Sequence, residues 1–536
     1  MSRAIIELDN VTFRYPDAAR PVLEGVSLTI QDGEFILVAG RSGTGKSTLL
    51  RLLNGLVPHF TGGHVSGRVQ VAGHDPIASG PHGMSAVVGF VQQDPEAQFV
   101  VDTVEDELAF GMENQGLAQP LMRKRVEEVL DQLAIAHLRH RRVTSLSSGE
   151  KQRVAIGSAL TLQPKVLVLD EPTSQLDPQS AEEVFTALRH LNQDLGLTIV
   201  CSEHRLERVV QYADRMLYLP QAGGKPLFDT AQAVLPQMPF APPIVKLARA
   251  LHWQPIPLTI KEARGHVAEM HICAHPYVVN RPGTPPCLVA EDVWYDYGEG
   301  AALAGVSVQA SPCELIALMG RNGSGKSTLL KHLVGLLRPR RGRVTINGLD
   351  TRSTPLGAIT AHVGYVPQEP GALLFSDTVR QELEFTRRVR GLPAANVDRW
   401  LTLLGLQHLS ERYPRDLSVG ERQRVAVAAI LVAEPRILLL DEPTRGLDPE
   451  EKVALARSLR TLADSGHTII LATHDVELAA ECVQRVIILG EGQVVVDGPA
   501  REVMTQSLVF ASQVNKLYRD PNLVTVQDVL EAERSP

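Results

Sequence analysis

A glycine-rich pattern, G-x-x-x-x-G-K-S, occurs twice in this chain of 536 residues, from Gly40 to Ser47 and from Gly320 to Ser327. Each copy follows a short apolar run and precedes a helical pattern. In a strand–loop–helix context of this kind, the backbone amides of the loop and the start of the helix bind a phosphate group. The sequence therefore predicts two nucleotide-binding sites.

Further motifs recur in the same order after each loop. Lys46 corresponds to Lys326, and Ser147 corresponds to Ser418, with a slightly smaller separation for the second pair than for the first. A constant order with a slowly drifting offset indicates that whole domains are duplicated. We therefore expect a first domain over residues 1–225, a proline-rich linker over 226–287, a second domain over 288–500 and a helical tail over 501–536.

Composition limits the classes of partner and site. The net charge of −8 argues against a dominant nucleic-acid surface, so no nucleic-acid partner is expected. The sequence shows neither a signal-peptide pattern nor an apolar stretch of about 18 residues, which favours a cytoplasmic protein. Its cysteines lack C-x-x-C spacing and are interpreted as structural thiols rather than zinc or iron–sulfur ligands. They are Cys201, Cys273, Cys287, Cys313 and Cys482.

The residue types of the two loops predict their chemistry. Lys46 and Lys326 are expected to neutralise the β- and γ-phosphates of a nucleotide. The hydroxyls of Ser47 and Ser327 are expected to bind Mg²⁺, while the glycines let backbone amides approach phosphate oxygens. The predicted nucleotide-binding residues also include Gly40, Ser42, Gly43, Gly45, Thr48, Gly320, Asn322, Gly323, Gly325 and Thr328.

Two aliphatic runs end in an acidic pair, Asp170-Glu171 and Asp441-Glu442. Such runs are typical of central parallel strands buried on both faces, with the acid at the carboxyl edge. Asp170 and Asp441 are predicted to hold Mg²⁺ opposite the loop serine. Glu171 and Glu442 are placed to polarise an attacking water as general bases.

The segments Leu146–Glu150 and Leu417–Glu421 each begin a helix, with Ser at the N-cap and Glu three residues later, as in a capping box. At this position in the motif order they resemble the signature of ATP-binding-cassette (ABC) ATPases, and the resemblance covers nearly all of both halves. It implies an α/β fold with two P-loop domains, each with a parallel-sheet core, an antiparallel β subdomain and a helical subdomain. It also implies ATP and Mg²⁺ as ligands.

The resemblance makes Tyr15 and Tyr297 candidates for stacking on adenine, with packing in a local core as the alternative. Gln93 and Gln368 match the family's glutamine loop, which touches Mg²⁺ or water, and Gln92 is an alternative register for the first.

His204 and His474 match the switch histidine that contacts the γ-phosphate. Each follows an apolar strand, a position that favours function over a purely structural role. Asp177 and Asp448 match the loop that crosses between the halves of the family's dimers.

Cassettes of this family pair head to tail, so each ATP would lie between one half's loop and the other half's signature. Ser418 and Gly420 would complete the first site, and Ser147 and Gly149 the second. The signatures depart from the family pattern at two positions, where Gly and Gln are replaced. The departures are Ser148 and Val419 at the third position and Glu150 and Glu421 at the fifth.

Some segments resemble the ATPases of energy-coupling-factor importers for vitamins or metal ions. They are Gln93–Phe99, Thr103–Gly111 and the Glu203–Leu206 form of the switch, and the second half keeps only an outline of the first two. The resemblance implies an importer ATPase on the cytoplasmic face of the cell membrane, with a vitamin or thiamine precursor as the preferred cargo. Its expected partners are a membrane coupling subunit and a substrate-binding membrane subunit.

Two alternatives stay open. A sugar-type importer ATPase also has tandem cassettes, but often with one degenerate site, whereas both lysines and both acid pairs are present here. A ribosome-associated tandem protein is the alternative without a membrane subunit. Such proteins usually join their halves by a long charged helix, which the proline-rich residues 226–287 do not resemble.

Overall fold

The computed structural model describes residues 3–16, 18–221, 224–267, 285–298, 300–393 and 395–534. The chain divides into two compact units, Met1–Glu262 and Ala263–Pro536. Residues 268–284 of the predicted linker, which include Cys273, lie outside the described residues. The predicted domain boundaries stay a prediction.

The first unit is built around a sheet whose strands are apolar on both faces. Its strand order is β5-β6-β7-β3-β8-β9, parallel except for the last strand. The strands β3, β6 and β7 are buried along their whole length, as their aliphatic sequences predict. The strands of the unit are β1 (Ala4–Arg14), β2 (Leu23–Gln31), β3 (Phe35–Gly40), β4 (His64–Val71), β5 (Val88–Val91), β6 (Val166–Asp170), β7 (Thr198–Ser202), β8 (Arg215–Leu219) and β9 (Leu227–Asp229).

A separate antiparallel sheet of order β2-β1-β4 packs beside the first. Its strands alternate buried and exposed residues, so one face joins the same apolar core as helix α1. The helices are α1 (Lys46–Leu53), α2 (Leu56–His59), α3 (Pro76–Met84), α4 (Val104–Asn114), α5 (Gln119–Gln132), α6 (Ser148–Leu160), α7 (Pro178–Gln193), α8 (Leu206–Val209), α9 (Ala231–Val234), α10 (Pro243–Ala250) and α11 (Ile260–Val267).

The second unit repeats this plan. Its strand orders are β15-β16-β17-β12-β18-β19, again with an antiparallel last strand, and β11-β10-β13-β14. The strands are β10 (Leu288–Asp296), β11 (Ala301–Ala310), β12 (Leu315–Met319), β13 (Arg341–Ile346), β14 (Leu349–Asp350), β15 (Val363–Val366), β16 (Ile437–Asp441), β17 (Thr468–Ala472), β18 (Arg485–Gly490) and β19 (Gln493–Pro499). The helices are α12 (Lys326–Leu333), α13 (Leu356–Ile359), α14 (Val379–Arg390), α15 (Ala395–Leu403), α16 (Val419–Leu431), α17 (Pro449–Asp464), α18 (Val476–Cys482), α19 (Ala500–Thr505), α20 (Gln513–Tyr518) and α21 (Val526–Arg534).

The helices that follow the last sheet strand also correspond between the halves. Helix α19 follows strand β19 as α9 follows β9, and α20 comes next in the second half as α10 does in the first. Short helices therefore follow the last strand of the main sheet in both units. No helix among the described residues is long and apolar enough to cross a membrane.

The described cysteines Cys201, Cys287, Cys313 and Cys482 are free thiols. Cys201 is buried in β7, where burial raises its pKa well above the usual value. Cys482 is buried at the end of α18, and burial likewise raises its pKa, to about 12. Both thiols are therefore protonated and unreactive at neutral pH.

Candidate functional site

The two glycine-rich loops connect β3 to α1 and β12 to α12. The residue before each helix, Gly45 or Gly325, has a left-handed conformation with φ of 94° or 99°, which glycine adopts without strain. This turn leaves the first amides of the helix facing the loop, where an anion binds. The other predicted loop residues, Ser42, Gly43, Asn322 and Gly323, lie in the turns between strand and helix.

The loop lysines fold back over their own loops. The Nζ atom of Lys46 donates hydrogen bonds to the carbonyl oxygens of Gly40 and Arg41, at 2.9 and 3.0 Å. Lys326 makes the same contacts with Gly320 and Arg321, both at 2.9 Å. Each ammonium group is therefore fixed in the concave side of its loop, where the phosphates of a nucleotide would lie.

Close packing explains the glycine at the first position of each loop. A Cβ atom on Gly40 would lie 2.7 Å from the carbonyl oxygen of Leu219 in β8. A Cβ atom on Gly320 would meet the carbonyl oxygen of Leu489. Any larger residue would push the loop away from the sheet.

The loop serines lie beside the predicted metal-binding aspartates. Ser47 is hydrogen-bonded to Asp170, and Ser327 to Asp441. Burial raises the pKa of both carboxyl groups, while these serine bonds partly oppose the shift. A hydroxyl and a carboxylate brought together at the edge of a sheet form the oxygen ligand pair that Mg²⁺ takes beside phosphate groups, so these residues fit the ion.

Each predicted base contacts its predicted switch histidine. Glu171 Oε1 lies 2.7 Å from His204 Nε2, and Glu442 Oε2 lies 2.7 Å from His474 Nδ1. Burial raises the pKa of Glu171, but the charges of His204 and Lys46 outweigh burial, so its pKa lies below the usual value. Glu171 is therefore held ionised, as a general base must be.

The backbone at the two bases is unusual. Glu171 and Glu442 have positive φ values of 49° and 48°. For a residue with a Cβ atom this conformation costs of order 1–3 kcal/mol and persists where surrounding structure enforces it. In this chain the carboxylates of both residues lie beside the histidines.

The glutamine loop closes on the base in the first half. The Nε2 atom of Gln93 donates to Glu171 Oε2 at 2.8 Å, which favours the register with Gln93 over that with Gln92. Gln98 braces the loop, since its Oε1 accepts from the Gln92 amide at 3.2 Å. In the second half Gln368 is exposed two residues after β15.

The two tyrosines lie beside the helix that follows each loop. The Tyr15 hydroxyl is 2.9 Å from the Thr48 hydroxyl, and the Tyr297 hydroxyl is 3.4 Å from that of Thr328. Tyr297 is 61% exposed, so much of its ring surface is open to solvent. Tyr15 is partly buried and packs edge-on against Phe13 at 4.8 Å, a local core contact. Both readings of these residues therefore have structural support.

The signature segments form capping boxes, as their sequences predict. Ser147 Oγ accepts from the Glu150 amide at 3.3 Å, and Glu150 Oε2 accepts from the Ser147 amide at 2.7 Å. Ser418 and Glu421 do the same at 3.2 and 2.9 Å. Serine is therefore fixed at the tip of each signature helix.

Each signature glycine packs against the helix that follows the Asp177 or Asp448 N-cap. A Cβ atom on Gly149 would lie 2.9 Å from the Cβ atom of Ser180 in α7. A Cβ atom on Gly420 would collide with the carboxylate of Glu451 in α17. Close approach of two helix starts therefore requires glycine at this position.

Sequence reasoning missed several polar residues behind the acid pairs. Ser202 Oγ donates to Asp170 Oδ1 at 2.8 Å, and Tyr365 donates to Asp441 Oδ2 at 3.2 Å. The buried Glu203 accepts from both the amide and the hydroxyl of Thr173, at 2.9 and 2.5 Å. The sequence signal for Glu203 was its position next to His204.

Comparison with known proteins identifies the family. A family model described as ABC transporter matches residues 23–174 and 303–445, which is more than half of the chain. The chain belongs to the ABC transporter family. Because the model matches two separate segments, each with its own loop and acid pair, the protein is a tandem ABC ATPase.

Its relatives extend over the whole chain. A putative ABC transporter ATP-binding protein of Streptomyces avermitilis is 46% identical over 98% of this chain and 100% of its own length. A protein of Methanosarcina acetivorans with the same description is 37% identical over 93% of this chain and 86% of its own length.

Among solved structures, a model of ribosome-bound archaeal Pelota and ABCE1 aligns with 93% of this ABC ATPase and 80% of its own chain. The TM-score is 0.63 at 23% identity, which shows a shared fold. Structures of single ATPase chains include cbiO1 of Clostridium perfringens, part of the ABC transporter complex cbiONQ. It is 34% identical over 41% of this chain and 91% of its own, with a TM-score of 0.39.

Proposed function

We propose that this tandem ABC ATPase is the ATP-hydrolysing subunit of a membrane importer of the energy-coupling-factor type, with a vitamin or thiamine precursor as its cargo. The observation that carries hydrolysis at both sites is that each half holds a glutamate 2.7 Å from the switch histidine, and the importer type is proposed from the segments Gln93–Phe99 and Thr103–Gly111. Neither half is degenerate, so both are equipped for hydrolysis. The relatives are described as transporter ATP-binding proteins, which supports coupling to transport.

The two halves close head to tail in this proposal, so that each nucleotide lies between one half's loop and the other half's signature. Lys46 and the loop amides bind the phosphates of the first nucleotide, and Ser418 and Gly420 contact its γ-phosphate. Lys326 binds the second nucleotide, which Ser147 and Gly149 contact. One chain supplies the residues for both sites.

Hydrolysis at the first site is assigned to residues that the fold already brings together. Glu171 accepts a proton from the attacking water, and His204 orients the glutamate and contacts the γ-phosphate. Gln93 contacts the glutamate and would sense whether the site is filled. Mg²⁺, held by Ser47 and Asp170, would neutralise charge on the phosphate oxygens when bound. Glu442, His474, Ser327 and Asp441 have the same roles at the second site.

The glutamine loops are also the proposed link to the membrane. Residues around Gln93 and Gln368 would contact a membrane coupling subunit, and opening and closing of the halves would move it. The coupling subunit would carry a smaller membrane protein that binds the cargo. The ATPase would then lie at the cytoplasmic face of the cell membrane without entering the bilayer.

The test is affinity purification of the tagged chain from detergent-solubilised membranes of its own organism, with mass spectrometry of the bound proteins. Stoichiometric recovery of a multi-helix membrane protein and a small substrate-binding membrane protein supports the proposal. Recovery of ribosomes without a membrane protein refutes it and favours the ribosome-associated alternative. The control is a chain with Lys46→Ala and Lys326→Ala, which keeps its docking surfaces and should recover the same membrane proteins.

A further inference from the structure

The two halves hold their switch histidines with different neighbours. Strands β7 and β17 occupy equivalent places in the two sheets and pair in the same register with the acid-bearing strands. Glu203 therefore corresponds to Thr473, and Arg205 to Asp475. Each half has a switch histidine, but the residues before and after it differ between the halves.

In the first half Glu203 connects the histidine to the segment that follows the acid pair Asp170-Glu171. Its side chain is buried, with 2% exposed. One carboxylate oxygen accepts from the Thr173 amide and hydroxyl, and the other accepts from the backbone amide of His204 at 3.2 Å. Thr173 follows Glu171 by two residues. The Glu203 carboxylate therefore holds the segment after Glu171 and the backbone of His204 relative to each other.

In the second half the His474 amide donates to Glu442 Oε2 at 3.4 Å, and a partly buried ion pair holds the residue after the histidine. Lys452 Nζ lies 2.8 Å from Asp475 Oδ2, with 17% and 6% of the two side chains exposed. Asp475 follows His474 directly, and Lys452 lies four residues after Asp448, in the helix that packs on the signature glycine. The pair therefore ties the histidine segment to the start of α17.

The first half lacks the residues for this ion pair. Ala181 stands four residues after Asp177, where the second half has Lys452, and Arg205 stands in place of Asp475. Each half therefore uses different side chains to hold the segment that contains its switch histidine. A buried charge held by several bonds has few accessible conformations, so either arrangement restricts where the neighbouring histidine can lie.

We infer that Glu203 and Lys452 are positioning residues for hydrolysis, each holding the switch histidine of its own half against the general base. Glu203 acts on His204 through the backbone amide, and Lys452 acts on His474 through Asp475. The inference rests on the proposed roles of the two histidines. Small errors in the placement of catalytic groups slow a reaction strongly. A positioning residue is therefore expected to affect the rate of turnover rather than the binding of ATP.

Two substitutions test the inference with little change in shape. In Glu203→Gln the amide oxygen can keep both Thr173 bonds, while the amide NH₂ group replaces the oxygen that faces the His204 N–H. In Lys452→Met the chain length is kept and the charge is lost. Since a buried hydrogen bond to a charged group contributes enough for about a tenfold effect, we expect about tenfold slower turnover at the altered site.

The assay is steady-state hydrolysis of ATP with Mg²⁺ by the purified full chain. For independent sites, each single variant should lower kcat to about half and the double variant to about a tenth, whereas sites that must alternate would give about a tenth in every case. The KM for ATP should change by less than about twofold, since binding is not altered. Lys452→Arg should restore most of the activity lost in Lys452→Met.

Two controls separate positioning from folding and from the histidine roles. Lys124→Met makes the same change of residue at a lysine whose side chain is 71% exposed and should leave kcat unchanged. His204→Ala and His474→Ala should both lower kcat. If the histidine variants lose turnover but Glu203→Gln and Lys452→Met do not, the positioning role is refuted.

A structural role would give a different pattern. It would lower the melting temperature of Lys452→Met and of Lys452→Arg alike, without rescue of kcat, and this outcome also refutes the inference. If the histidine variants themselves turn over ATP at the wild-type rate, the proposed histidine roles fail, and the inference fails with them.

Discussion

The substitution Ser202→Ala should destabilise the first unit and leave the second unchanged. Ser202 donates to the buried carboxylate of Asp170 at 2.8 Å, and Ala472 occupies the equivalent position in the second half. The Glu171 amide also bonds to the Ser202 hydroxyl, but it keeps a bond to the Ser202 carbonyl oxygen at 3.2 Å. The main loss is therefore a donor to Asp170.

The expected size follows from the charge and burial of the acceptor. A hydrogen bond to a buried charged group contributes about 2 kcal/mol to the free energy of unfolding. For a unit of this size, that loss lowers the melting temperature by about 4 to 8 °C. Differential scanning calorimetry of the full chain measures it, with the transition of the second unit as an internal control. An unchanged first transition, or an equal shift of both, would refute the reasoning.

Two further substitutions test packing and the tail. Gly149→Ala should destabilise the chain by about 1–3 kcal/mol through overpacking against Ser180, whereas Gly371→Ala, whose Cβ atom would meet nothing within 4 Å, should be neutral in the same urea titration. Asp528→Asn should free the tail for limited proteolysis, because Asp528 pairs with Arg501 at 2.7 Å. Burial raises the pKa of Asp528, but the Arg501 and backbone bonds bring it below the usual value. Its contribution should thus be full above about pH 4 and be lost as the pH falls through the lowered pKa, and a difference in protection between wild type and Asp528→Asn that grows as the pH falls below about 4 would contradict this.

Much of the fold could be predicted because its signals are local. The apolar runs before Asp170 and Asp441 appear as the buried strands β6 and β16, and both signature serines are N-caps, as the sequence indicates. The duplication is also visible in the structure, in the matching strand orders of the two units. Helices α9 and α10 lie within the predicted linker, and α19 and α20 follow the last strand of the second unit in the same order.

The residues that hold the site together could not be predicted in the same way. Ser202 reaches Asp170, and Glu203 reaches Thr173, although a whole helix lies between them in the chain, through the pairing of neighbouring strands. Lys452 and Asp475 meet across a helix and a strand. Such contacts depend on the register and packing of separate elements, which a single sequence does not reveal. The roles of the site residues and the identity of the cargo stay predictions for a different reason. They depend on ligands and partner proteins.

The central claim is that one chain contains two complete ATP sites that close on each other. The most direct measurement is the amount of ATP occluded by the chain with Glu171→Gln and Glu442→Gln, together with its mass from light scattering. The account predicts two ATP molecules trapped per monomeric chain, with hydrolysis abolished. One ATP per chain, two only in a dimer of chains, or turnover at the wild-type rate would contradict it.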